Sequence, residues 1–150
     1  MDIAALITWI ITALGGFYLL ATWVSKGGHR QPSASRFPPA LIFGHFALAA
    51  AGLIVWIVYV ATDADALAWV GFVILLPVAA LGFTMLARWI PTYRAQSGTP
   101  TTPDPTQAEA VAGGGPAERH FPLPVVAGHG ALATITLVLV LLTALGVGGS

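Results

Sequence analysis

The chain has no cysteine, and its 150 residues include only six lysines and arginines and six aspartates and glutamates. Without thiols it can form no disulfide, thiolate metal site or iron–sulfur cluster, and it can carry out no thiol catalysis. Charged residues make up 8% of the chain, against about 25% in soluble domains. So little charge cannot cover a soluble surface, and lipid must be the solvent. The net charge is zero and no basic stripe is present, which leaves no footprint for nucleic acid. A hydrolase triad, a phosphate-binding loop and a Gly-x-Gly-x-x-Gly fingerprint are also missing. Soluble-type enzyme chemistry is therefore not expected, and any activity would be that of a membrane oxidoreductase or electron carrier.

What the chain does have is apolar length: 57% of it is hydrophobic and its mean hydropathy is +0.84. Four stretches, near 3–24, 39–62, 66–90 and 123–147, each reach the roughly 20 helical residues that a bilayer core requires. Strands are excluded because an open sheet leaves backbone groups unpaired in lipid and four strands cannot close a barrel. The first stretch begins Met1-Asp2 without a basic start, and its apolar run is long for a signal peptide, so it reads as a helix of the mature protein. The expected fold is all-α, a single transmembrane domain over 1–150 made of four helices.

Every base falls on one side of such a bundle. Lys26, Arg30 and Arg36 follow the first helix, and Arg88, Arg94 and Arg119 flank the third connection, whereas the short second connection holds Asp63 and Asp65. Positive residues stay cytoplasmic. The first and third loops are thus expected inside and both termini outside, in the plasma membrane. Trp23 and Trp89 sit at the cytoplasmic helix ends and Trp69 near the outer start of helix three, where interfacial positions are expected. Trp9 and Trp56 lie deeper and suggest no role.

The bundle is one hairpin written twice. Gly16-Phe17-Tyr18-Leu19-Leu20-Ala21-Thr22-Trp23-Val24 matches Gly82-Phe83-Thr84-Met85-Leu86-Ala87-Arg88-Trp89-Ile90 at five of nine positions, with an offset of 66 residues. Phe37-Pro38 and Gly44-His45-Phe46-Ala47-Leu48-Ala49 match Phe121-Pro122 and Gly128-His129-Gly130-Ala131-Leu132-Ala133 with an offset of 84. The second copy therefore carries about 18 extra residues, in the connection 92–118. That connection is rich in proline, threonine and glycine, too poor in apolar groups to offset ordering entropy, and reads as a flexible linker with a short helical turn around 107–111. The two hairpins run the same way, so helices two and four are parallel. Pro77 falls in the middle of helix three, where Ile11 stands in the first copy, and is expected to kink it and free a carbonyl near Val73.

The duplication places His45 and His129 at one depth, about six residues or roughly 9 Å inside their helix starts. An ionisable residue in a membrane helix is a functional candidate by default. Small residues accompany both: Gly44, Ala49 and Gly52 in one helix, Gly128, Ala133 and Thr136 in the other. Two imidazoles from facing helices can ligate the two faces of one haem b. Arg36 and Arg119 (with His120) are then candidate partners for its propionates at the cytoplasmic boundary.

On the bundle and the His45/His129 pair the chain resembles four-helix membrane cytochromes b of the b561 type, which carry haem between transmembrane histidines. The resemblance implies electron transfer to or from quinol or a partner protein. Those cytochromes commonly hold two haems with four ligands, and this chain has ligands for one. Other readings remain open. The histidines could bond across a small-residue helix interface with no cofactor, or mark a metal, proton or small-solute path. The whole chain could be a transporter or channel, or a non-catalytic accessory subunit of a larger complex. Zinc is disfavoured for want of a third ligand near the pair. Four helices are few, so a homodimer is also open.

Overall fold

The computed structural model describes residues 1–30, 34–97 and 115–147. Four helices form, α1 (Asp2–Ser25), α2 (Pro39–Thr62), α3 (Asp65–Ser97) and α4 (Leu123–Ala144), and a 3₁₀ turn over Ala117–His120 precedes α4. All four are long and apolar enough to cross a membrane. Among the described residues there is no strand. Prolines open α2 and α4, where a missing N–H costs no helical bond. Asp63 ends α2 in the left-handed region at φ 53°, which a short polar side chain tolerates. The α2–α3 connection then needs only Asp63 and Ala64.

The boundaries shift in two places. α3 runs on to Ser97, so 92–97 is helix and not linker, and α4 stops at Ala144. The helix is continuous through Pro77 and Pro91. The expected helical turn near 107–111 lies outside the described residues.

Packing crosses the repeat. α1 lies chiefly against α4 and α2 against α3, while α1 and α2, and α3 and α4, touch less closely. The bundle is thus two layers, each combining the first helix of one copy with the second helix of the other. Lipid supplies no hydrophobic drive between helices, so close van der Waals fit must hold each layer. Two clusters do this. At the terminal end, Trp9, Trp56, Leu75, Val78 and Val140 pack together, with Trp9 and Trp56 ring centres 6.3 Å apart. The Trp56 indole N–H donates to the Asp2 carbonyl at 3.2 Å. At the basic end, Trp23, Phe37, Ile42, Trp89 and Ala117 form the second cluster. Trp23 and Trp89 are 0% and 4% exposed, so both rings sit inside the bundle. Exposed Trp69 keeps its expected surface position.

Gly52 belongs to this packing. A Cβ there would stand 3.0 Å from the Trp9 ring and 3.1 Å from Ile74 Cγ2. Gly52→Leu should overpack the terminal cluster and cost about 1–3 kcal/mol. Thermal or denaturant unfolding in detergent would measure this, and wild-type stability would contradict the packing.

Candidate functional site

His45 projects from α2 and His129 from α4, and each bonds to the other helix of its own layer. The Nδ1 of His45 lies 3.0 Å from the Val78 carbonyl on α3, and the Nδ1 of His129 lies 2.9 Å from the Thr12 carbonyl on α1. Thr12 and Val78 are 66 residues apart, the offset of the first repeat match, so the two bonds are copies of one another. A carbonyl oxygen can only accept, so each Nδ1 carries the proton and each neutral ring keeps its lone pair at Nε2. That is the tautomer of a histidine oriented to ligate. The two ring centres stand 6.4 Å apart with planes inclined by 63°.

Two glycines make room for the rings. A Cβ on Gly16 would come within 2.9 Å of His129 Cε1, and one on Gly82 within 3.4 Å of His45 Cε1. Gly16 and Gly82 head the first repeat match, which was the sequence signal for them, although nothing in that match pairs them with histidines of the opposite copy.

Between the layers lies a cavity of about 560 Å³ that both histidines line. This falls within the roughly 300–1,000 Å³ typical of cofactor and ligand sites. The wall is apolar apart from the histidines, a few threonines and the indole edges. Ala49, Ala133 and Thr136 line it as expected. The buried Thr136 hydroxyl sits 2.8 Å from the Leu132 carbonyl and 3.0 Å from Thr8 Oγ1.

Other predicted residues lie elsewhere. Gly52 packs on Trp9, and Cβ atoms on Gly44 and Gly128 would meet nothing within 4 Å. Arg36 is exposed, and neither it nor Arg119 lines the cavity. Phe37 and Phe121, repeat-equivalent and 6.2 Å apart, line the cavity on the arginine side. Among the described residues, no third His, Asp or Glu joins the histidine pair.

Glu118, placed in the linker by sequence, is fully buried at the cavity's basic end. Its carboxylate accepts the Ser35 hydroxyl at 2.9 Å and the Arg36 amide at 2.7 Å. Ser35 in turn accepts the Trp23 indole N–H at 2.8 Å and the Phe37 amide at 2.9 Å. The Glu118 main-chain carbonyl accepts the Trp89 indole N–H at 3.1 Å. One residue therefore anchors both repeat-equivalent tryptophans that wall the cavity. Its repeat position in the first copy is Ala34, so symmetry gave no hint of it.

A scan against protein-family models and searches of curated proteins and of solved structures found no match to this chain. The site geometry must speak for itself.

Long-range ¹H–¹⁵N spectra of imidazole-labelled protein in micelles should show the His45 and His129 rings, assigned by their loss in His45→Ala and His129→Ala, protonated at Nδ1 and bare at Nε2, beside His120, whose Nδ1 also meets a carbonyl. An Nε2–H tautomer at either position would contradict the carbonyl bonds.

Proposed function

We propose that this chain is a small membrane cytochrome b that holds one haem b between His45 and His129 and exchanges electrons with a quinol or a partner protein. The observation carrying this reading is the symmetric imidazole pair across an apolar cavity. Each ring is oriented by a backbone carbonyl and has its Nε2 lone pair free. The ring centres stand 6.4 Å apart across the cavity, a separation that would let both imidazoles hold one haem between them. Gly16 is a second support, since a Cβ there would crowd the His129 ring.

The residues divide the work as follows. His45 and His129 would hold the haem, and the Val78 and Thr12 carbonyls, respectively, hold those rings against rotation. Gly16 leaves room for the His129 ring against α1, and Gly82 stands in contact with the His45 ring on α3. Trp23, Trp89, Phe37 and Phe121 form an apolar wall at the basic end. When bound, haem b supplies a one-electron couple whose potential responds to burial and ligand hydrogen bonding. Positive residues stay inside, which supports placing the basic end in the cytoplasm and both termini outside. This likeness to b561-type cytochromes extends to one haem per chain and not two.

A hydrophilic transport path has less support, because apolar side chains dominate the cavity wall.

The test is an absorption spectrum of detergent-purified protein from haem-replete cells, air-oxidised and then reduced with dithionite. We expect a sharp Soret band and split reduced α and β bands, with both histidine→Ala variants losing the low-spin signature. Gly16→Leu should lower haem occupancy by crowding His129 while leaving the helical circular dichroism intact. A colourless protein that stays unchanged on adding hemin would reject the cytochrome reading.

A further inference from the structure

We propose that a pocket at the basic end, between the turn after α1 and the entry to α2, binds the phosphate of an anionic phospholipid headgroup. The pocket measures about 470 Å³, with His29, Arg30 and Arg36 in its lining beside Phe37 and the prolines that open α2. Phe37 is the one residue it shares with the histidine cavity.

Local structure shapes both sides. Gly27 turns the chain in the left-handed region at φ 76°, and a Cβ on Gly28 would run into the Trp23 indole. The Arg30 amide closes this turn by donating to the Gly27 carbonyl at 2.9 Å. His29 is thereby held beside the buried Trp23, their ring centres 6.2 Å apart. On the other side the Arg36 main chain is clamped twice. Its amide donates to Glu118 at 2.7 Å, and its carbonyl accepts the Arg88 guanidinium at 3.0 Å. The Arg36 residue stays exposed.

Charge at the pocket is unbalanced. Among the described residues, Glu118 is the only acid at this end, and its carboxylate is taken by Ser35 and the Arg36 amide. The one ion pair among the described residues joins the Met1 amino group to Asp2 at the opposite end. No described residue neutralises the Arg30 or Arg36 guanidinium. Ser35 also lines the pocket, but its hydroxyl already donates to Glu118 and accepts two N–H groups. Two guanidinium forks and an imidazole N–H remain, donors that match phosphate oxygens.

Position names the source of the phosphate. α1 ends and α2 begins here, so the pocket stands where two apolar helices leave the bilayer core, at headgroup depth. The α1–α2 seam that starts at the pocket is the loosest between neighbouring helices, and Phe43, 47% exposed, lies in it against Trp23. An acyl chain joined to the headgroup can follow that seam, whereas a free phosphate gains nothing from it. The second copy is built differently. There α3 continues as helix where α1 has ended, with Ala95 and Gln96 at the repeat positions of His29 and Arg30. The inference goes beyond the cytochrome reading and does not depend on haem.

Bases gather at one end of membrane proteins for topology alone, so the experiment separates the pocket from general charge. Full-length protein in phosphatidylcholine nanodiscs would be photolabelled with phosphatidylglycerol carrying a diazirine near its headgroup. Unlabelled phosphatidylglycerol or inorganic phosphate would compete, and labelled peptides would be mapped. We expect saturable label around Arg30 and Arg36, displaced by the lipid and not by inorganic phosphate. Arg30→Gln and Arg36→Gln should each weaken binding about fivefold, with the helical circular dichroism unchanged because both side chains are exposed. Arg94→Gln removes the same charge from an exposed base at the same end but outside the pocket, and should leave binding unchanged. Label that does not saturate, that survives both pocket substitutions, or that falls equally in Arg94→Gln would overturn the proposal. Displacement by inorganic phosphate as effective as by the lipid would overturn it in favour of a soluble anion.

Discussion

Inside a bilayer there is no water to satisfy a polar side chain, so each imidazole N–H of this bundle must find its acceptor in protein. The available acceptors are helix carbonyls. The Thr12 and Val78 oxygens take the two protons, and in doing so tie α4 to α1 and α2 to α3. Much else follows from these bonds. They join the helices of each layer, turn both Nε2 atoms away from the backbone, and require glycine at Gly16, where the His129 ring lies against α1. The cavity is the space between layers whose close contacts are directed within themselves.

The cost of opening such a space is met at its ends. Lipid-facing helices gain little from burying apolar surface against each other, so the ends depend on tightly fitted aromatics and on completed polar networks. Trp9 and Trp56 form one end with Gly52 beneath them. At the other end a buried carboxylate would be expensive if left alone, but Glu118 accepts two hydrogen bonds and links the loop after α1 to the segment before α4. The two hairpins, already joined by the histidine–carbonyl bonds, are thereby joined again at the basic end.

Symmetry and its breaks carry different information. The matched features (the histidines, the carbonyls of Thr12 and Val78, Gly16 with Gly82, Trp23 with Trp89, Phe37 with Phe121) build the cavity. The unmatched ones distinguish its sides: Glu118 against Ala34 at the basic end, Gly130 against Phe46 at an edge, Pro77 against Ile11 within α3. A duplicated chain can keep a shared site while its two halves diverge around it, since each half supplies a different wall.

Composition and periodicity alone determined the four membrane helices, the tandem hairpins and the common depth of His45 and His129, because lipid leaves a long apolar segment no alternative to helix. The cavity-lining roles of Ala49, Ala133 and Thr136 were legible for the same reason, lying one or two turns from each histidine on its own face. Tertiary structure alone decided which helices pair, since the deciding bonds join residues 33 and 117 positions apart and no local pattern encodes them. It also buried the Trp23 and Trp89 rings inside the bundle, set Gly44 and Gly128 facing open space, and drew Glu118 out of an apparent linker. Glu118 is held by Ser35 and the Arg36 amide of the opposite copy, and that is where a reading along the chain has no reach.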